Sequence, residues 1–139
     1  MTTKTTPPVT KAPVQATEAA ATGVPCAPAS GVSACVDLSA HEAWILDNGQ
    51  IEYGPVHAEG GRKGWTTPVG TFHVTAKSIH YVSHEFKVPM PYAVFFYPGD
   101  AFHEGSASTP SHGCVHLSLS SAETFYRDLA IGDRVQIVR

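Results

Sequence analysis

Only one stretch of this 139-residue chain spaces its apolar side chains for a helix. Ala122, Phe125, Tyr126 and Leu129 recur at i, i+3, i+4 and i+7, and Ser120 and Glu123 stand at capping-box spacing. Gly132 is placed to end that helix in a left-handed turn. Everywhere else, short apolar runs lie between turn residues. Ala34 to Leu38 alternates as a short strand, and Glu42 to Leu46 and Gln50 to Val56 flank Asp47-Asn48-Gly49, whose Asn-Gly pair suits a tight hairpin. Gly70 to Ala76 reads as a strand with Phe72 and Val74 on one face. Tyr92 to Tyr97 reads as a strand covered on both faces, and Arg134 to Val138 as a last strand burying Val135 and Ile137. Residues 58–66 are Gly-rich and read as a mobile loop. Leu, Lys, Glu and Gln are sparse, while Val, Thr, Gly and Pro are common. The expected fold is mainly β, compact, with one C-terminal helix and no internal repeat.

Residues 1–30 form a Thr/Pro/Ala-rich segment too poor in large apolar groups to fold, so it is expected to be a disordered linker before a single domain at 31–139. No apolar run is long enough to span a membrane, and the first 25 residues lack the apolar core of a signal peptide. Any export signal is therefore expected to have been removed or to lie outside this sequence. The net charge of -3, with only nine Lys and Arg and no basic run, argues against nucleic acid as a partner.

Cys26 and Cys35 flank a short Ala/Pro/Ser/Gly loop at a spacing a disulfide can close. Three reduced cysteines in a cytosolic protein is the other reading. If the bridge forms, Cys114 is left as a free thiol in an otherwise oxidised chain.

That thiol lies in Ser111-His112-Gly113-Cys114-Val115-His116, with His103 eleven residues upstream of it. A thiol becomes a nucleophile when a nearby base takes its proton and fixed amides await the oxyanion. His103, following an apolar strand and a Pro-Gly-Asp turn, is the favoured base. His112 is two residues from Cys114, a separation of about 6.5–7 Å in an extended chain. It is therefore expected to shape the site. Gly113 lets substrate approach the backbone amides, which is what acyl transfer through a thioester requires. Taken alone, His-Gly-Cys also fits a turn glycine beside a buried structural cysteine.

Four motifs in order resemble the catalytic domain of the L,D-transpeptidases, the YkuD-type enzymes that cross-link bacterial peptidoglycan. They are Thr67-Pro68-Val69-Gly70-Thr71-Phe72, Pro89-Met90-Pro91-Tyr92, Phe102-His103 and Ser111-His112-Gly113-Cys114, and the likeness spans about residues 33–139. The resemblance implies that family's compact β-sandwich or barrel, with Cys114 as nucleophile and His103 as acid and base. It implies a thioester with a peptidoglycan stem tetrapeptide, release of D-Ala, and transfer to an acceptor amine. The amides of His112, Gly113 and Cys114 are the implied oxyanion donors, and Ser111 braces the loop. Tyr92, with Trp65 or Tyr81, His116 and Glu104, is expected at the substrate.

The chain departs from the family at three points: His103 and His112 are closer together than usual, His116 stands where Asn or Arg is common, and Glu104 where Gly or Ser is. An extracytoplasmic monomer without a cofactor or metal is expected. Two alternatives are an L,D-carboxypeptidase, with water as acceptor, and a non-catalytic zinc or wall-binding domain using His103, His112, Cys114 and His116.

Overall fold

The computed structural model describes residues 24–26, 31–84 and 87–139. The expected linker, 1–30, lies outside the described residues except for Val24 to Cys26. Nine strands and one helix follow in chain order among the described residues. They are β1 (Ala34–Asp37), β2 (Glu42–Asp47), β3 (Gln50–His57), β4 (Gly70–His73), β5 (Ala76–Val82), β6 (Pro89–Tyr97), β7 (Asp100–Glu104), β8 (Val115–Leu117), α1 (Leu119–Asp128) and β9 (Arg134–Val138). One sheet runs β3-β2-β1-β9-β4 and the other β5-β6-β7-β8. This is the mainly β fold with a single helix that the sequence pattern predicts.

Alternation along each strand sends one set of side chains between the sheets and the other outward. Val36, Ile45, Val135 and Ile137 from the first sheet meet Val94, Phe96, Phe102, Val115 and Leu117 from the second, and Ala122 and Phe125 of α1 join them with its C-cap residue Leu129. Each sheet also carries a small cluster on its outer face. On the first, Cys35, Trp44 and Leu46 are covered by Val24, Cys26 and Val32, with Cys26 and Cys35 joined in a disulfide. On the second, Met90, Ala93 and Ala101 pack with Tyr81, Phe95 and Cys114. Among the described residues, no helix is long and apolar enough to cross a membrane.

Local chemistry accounts for several boundaries. Asn48 and Gly49 both take positive φ (56° and 84°), which lets Asp47 pair directly with Gln50 in the predicted hairpin. The helix starts earlier than Ser120: Ser118 is its N-cap, its Oγ accepting from the Ser121 amide, so the Ser120–Glu123 capping box does not form. The helix closes at Leu129 in extended conformation, and Gly132 (φ 98°) makes the turn beyond it. The expected strand from Gly70 to Ala76 is split, because Val74 and Thr75 bridge from the first sheet to the second: Val74 N–H donates to Asp133 O and Thr75 N–H to Phe95 O.

Candidate active site

Strands β7 and β8 run parallel, with Phe102 opposite Val115 and His103 opposite His116. Residues in register share a face, so Phe102, Val115 and Leu117 enter the core together. His103, His116 and Cys114 take the other face. All three line a pocket of about 240 Å³ walled by Tyr81, Val88, Met90 and Phe95. The backbone pairing of two short strands thus brings the two residues singled out by chemistry into one cleft.

His103 is 3 % exposed, and its Nδ1 lies 2.8 Å from the carbonyl oxygen of Glu104. A carbonyl can only accept, so Nδ1 carries the proton and Nε2 of the neutral ring is left able to accept one. The backbone of Glu104 therefore does the orienting. Burial lowers the His103 pKa to about 4, against the raising effect of the Glu104 carbonyl, and nearby His116 lowers it further. Burial also pushes the Cys114 thiol up to about 11; the Ala101 backbone amide opposes this and the Asp100 carboxylate adds to it. At neutral pH the pair rests as thiol and neutral imidazole, and not as an ion pair. Such a pair serves general-base attack, with the proton moving only when substrate is present.

His116 braces His103. Its ring stands edge-on at 4.9 Å between centroids, its Nδ1 is 3.0 Å from Ser106 O, and its backbone exchanges two hydrogen bonds with Glu59. Tyr92 does not line this cleft. Its φ of 57° breaks the strand's alternation between Met90, on the pocket side, and Ala93. The Tyr92 ring instead packs against the core and Tyr126, with its hydroxyl donating to Glu123 Oε2 at 3.1 Å. Met90 and Tyr81 occupy the pocket wall.

The loop before Cys114 is held from several sides. Ser111 Oγ donates to the Cys114 carbonyl and accepts from the Gly113 amide at 2.9 Å. Ser111 Oγ thus ties Gly113 to Cys114, and the Gly113 amide, one of the three implied oxyanion donors, is already engaged. Thr67 Oγ1 donates to Gly113 O at 2.7 Å, and the Gly61 amide donates to Thr67 Oγ1. Arg62 donates through its backbone and Nε to Ser111 O and through Nη2 to Pro110 O. Trp65 meets the His112 ring edge-on at 5.4 Å. The Gly-rich stretch 58–66, expected to be mobile, is instead a clamp on the site loop. Its glycines permit the approach: a Cβ on Gly61 would fall 1.8 Å from Trp65 O and 3.0 Å from the Gly113 nitrogen. Thr67 and Met90 enter the sequence reading only as members of motifs, and Asp100 only as part of a turn; their contacts with the site loop and the pocket are made by the fold. Among the described residues, no group of three or more His, Cys, Asp and Glu is arranged to hold a metal ion.

The L,D-transpeptidase catalytic domain (YkuD) family matches residues 31–137. Among solved structures, the chain is similar to an L,D-transpeptidase from Stackebrandtia nassauensis at 30% identity and TM-score 0.73, over 76% of this chain and 54% of that one. An L,D-transpeptidase from Mycobacterium tuberculosis H37Rv is 26% identical with TM-score 0.71, over 78% and 58%. L,D-transpeptidase 3 from Mycobacterium tuberculosis, solved with a faropenem-derived adduct, shares the fold at 23% identity and TM-score 0.69, over 78% and 60%. The chain thus spans a little over half the length of these relatives. No curated protein matches it.

Proposed function

Because the chain belongs to the L,D-transpeptidase catalytic domain family, we propose that it is a peptidoglycan L,D-transpeptidase working by cysteine acyl transfer. The observation that carries this reading is the placement of His103 and Cys114 on one face of the β7–β8 pair, in one pocket, with the imidazole tautomer set by Glu104 O. Nε2 of His103 takes the thiol proton as sulfur attacks the carbonyl of the third stem residue. The same nitrogen then protonates the departing D-Ala amine. In the second half, an acceptor amine gives its proton to His103 while attacking the thioester, and sulfur leaves to be reprotonated. The apolar wall of Tyr81, Met90 and Phe95 takes the donor stem. With the Gly113 amide engaged by Ser111 Oγ, the Cys114 amide is the donor assigned to the developing oxyanion.

Stem peptides lie outside the cytoplasmic membrane, and the Cys26–Cys35 bridge, which fastens Val24 and Cys26 onto a monomeric domain at 31–139, supports an oxidising, extracytoplasmic setting. A relative carrying a faropenem-derived adduct suggests the test. A carbapenem should add its mass to the protein at Cys114, and Cys114→Ala should abolish the adduct; an unmodified wild type overturns the reading. Incubation with a stem tetrapeptide then separates outcomes. Cross-linked dimers identify the transpeptidase, and trimmed tripeptide alone identifies a carboxypeptidase.

A further inference from the structure

The Asp100 side chain packs directly onto Gly113 of the nucleophile loop, and it has no part in the proposed acyl transfer to Cys114. Its carboxylate fills the space a side chain on Gly113 would need: a Cβ there would lie 2.5 Å from Oδ1, 3.0 Å from Cγ and 3.1 Å from Oδ2. Gly113, at φ 125°, is thus required by this contact as well as by its own backbone. Asp100 is partly exposed, yet no hydrogen bond or ion pair with another described residue reaches its carboxylate. Asp100 does not line the pocket of Tyr81, Met90, Phe95, His103 and Cys114. Its carboxylate therefore covers the buried Gly113 from outside that pocket, one residue along the loop from the nucleophile, and is itself partly open to solvent.

A half-buried carboxylate with no partner is costly, and its burial raises its pKa to about 6. Its charge also opposes ionisation of Cys114, so it does not serve the first half of the reaction. What it lacks is a cation. The proposed second substrate, an alkyl amine, arrives as an ammonium.

We propose that Asp100 is a specificity-determining residue that receives the acceptor's ammonium beside Gly113 and favours transfer to an amine over hydrolysis by water. This rests on the transpeptidase reading. The ammonium pairs with the carboxylate and gives up one proton, to Asp100 or to water. The free amine then attacks the thioester carbonyl, forming C–N as C–S breaks. Its second proton passes through His103 Nε2 to the departing sulfur, leaving amide and thiol.

The test is Asp100→Asn in the full chain, with two readouts. Carbapenem acylation of Cys114 should speed up a few-fold, because a charge that opposes the thiolate is gone. With a stem tetrapeptide as both donor and acceptor, the ratio of cross-linked dimer to hydrolysed tripeptide should fall about tenfold, through a raised KM for acceptor. Faster acylation with an unchanged ratio would mean that Asp100 only tunes the thiol, and overturns the proposal. A parallel loss of both activities would mean a structural role, and overturns it too. Should that variant not fold, Asp100→Ser carries the same expectations. In the unaltered chain, added salt should lower the dimer-to-tripeptide ratio while acylation by carbapenem holds; a salt-independent ratio counts against the proposal. If the wild type is never acylated, the transpeptidase reading itself fails.

Discussion

At the scale of single residues, the chemistry was more legible than the geometry. Cys114 and His103 stand out because a thiol beside His-Gly and a histidine at a strand end are unusual company in a chain of short apolar runs. Their pairing in one pocket follows from the β7–β8 register, which no residue type announces. Tyr92 shows the limit of a motif: Met-Pro-Tyr fixes an order along the chain, but a left-handed φ at Tyr92 decides which face each side chain takes. Asp100 sits in a Pro-Gly-Asp turn, where an acidic residue is unremarkable, and only its contact with Gly113 reveals it. A prediction belongs to His103. With its pKa lowered to about 4, the imidazole is already an unprotonated base well below neutrality. The acid limb of the carbapenem acylation rate should therefore lie near pH 4, rising with pH and levelling before 6.5, the value of an unperturbed histidine. His103→Gln should remove that limb and cost on the order of 10²–10⁴ in rate. A wild-type limb near 6.5 would show that another base is at work.

At the scale of elements, strands flanking an Asn-Gly turn and a helix with apolar spacing were readable because their periodicity is local. Strands β7 and β8 were not, since a five-residue strand and a three-residue strand hold too few residues to display a period. The Gly-rich stretch 58–66 reads as slack by composition, because glycine signals freedom unless something closes over it. Here Arg62 and Thr67 close over it, fastening it to the carbonyls of Pro110, Ser111 and Gly113. The guanidinium fork suits two adjacent carbonyls in a way an ammonium does not. Hydrogen bonds from charged donors contribute about 1.5–3 kcal/mol each when well sheltered, and less at this partly exposed site. Arg62→Ala should therefore slow carbapenem acylation of Cys114 about tenfold, equivalent to roughly 1.4 kcal/mol in the barrier. The melting temperature should change little, since the clamp fixes a loop and not the core. Arg62→Lys should recover only part of the rate. Full activity in Arg62→Ala would make the clamp irrelevant to catalysis.

At the scale of the whole molecule, the two sheets share one core and each carries a different device on its outer face, a disulfide on the first and the Cys-His pocket on the second. Placing the pocket on a packed face means burying titratable groups, and stability then depends on pH. His103 falls from 6.5 to about 4 on folding, so the unfolded chain binds more protons in that window and acidification through it destabilises the fold. Asp100 rises from 3.8 to about 6, so there the folded chain binds more protons, and the same acidification stabilises it. The two windows overlap almost completely and their effects oppose. Between pH 6.5 and 4 these groups should largely cancel, leaving a shallow dependence of melting temperature on pH. Asp100→Asn removes the compensating half. Its melting temperature should fall on acidification more steeply than that of the wild type, while His103→Gln should reverse the trend and gain stability toward pH 4. On the alkaline side, Cys114 at about 11 against 9.0 unfolded predicts a loss of stability as pH rises through that interval, abolished in Cys114→Ala. Thermal melts of the four proteins from pH 4 to 10 test the set. Parallel curves for wild type and Asp100→Asn would mean that the carboxylate is hydrated in the folded molecule, and that its contact with Gly113 is not the sheltered one from which a selective response to ammonium follows.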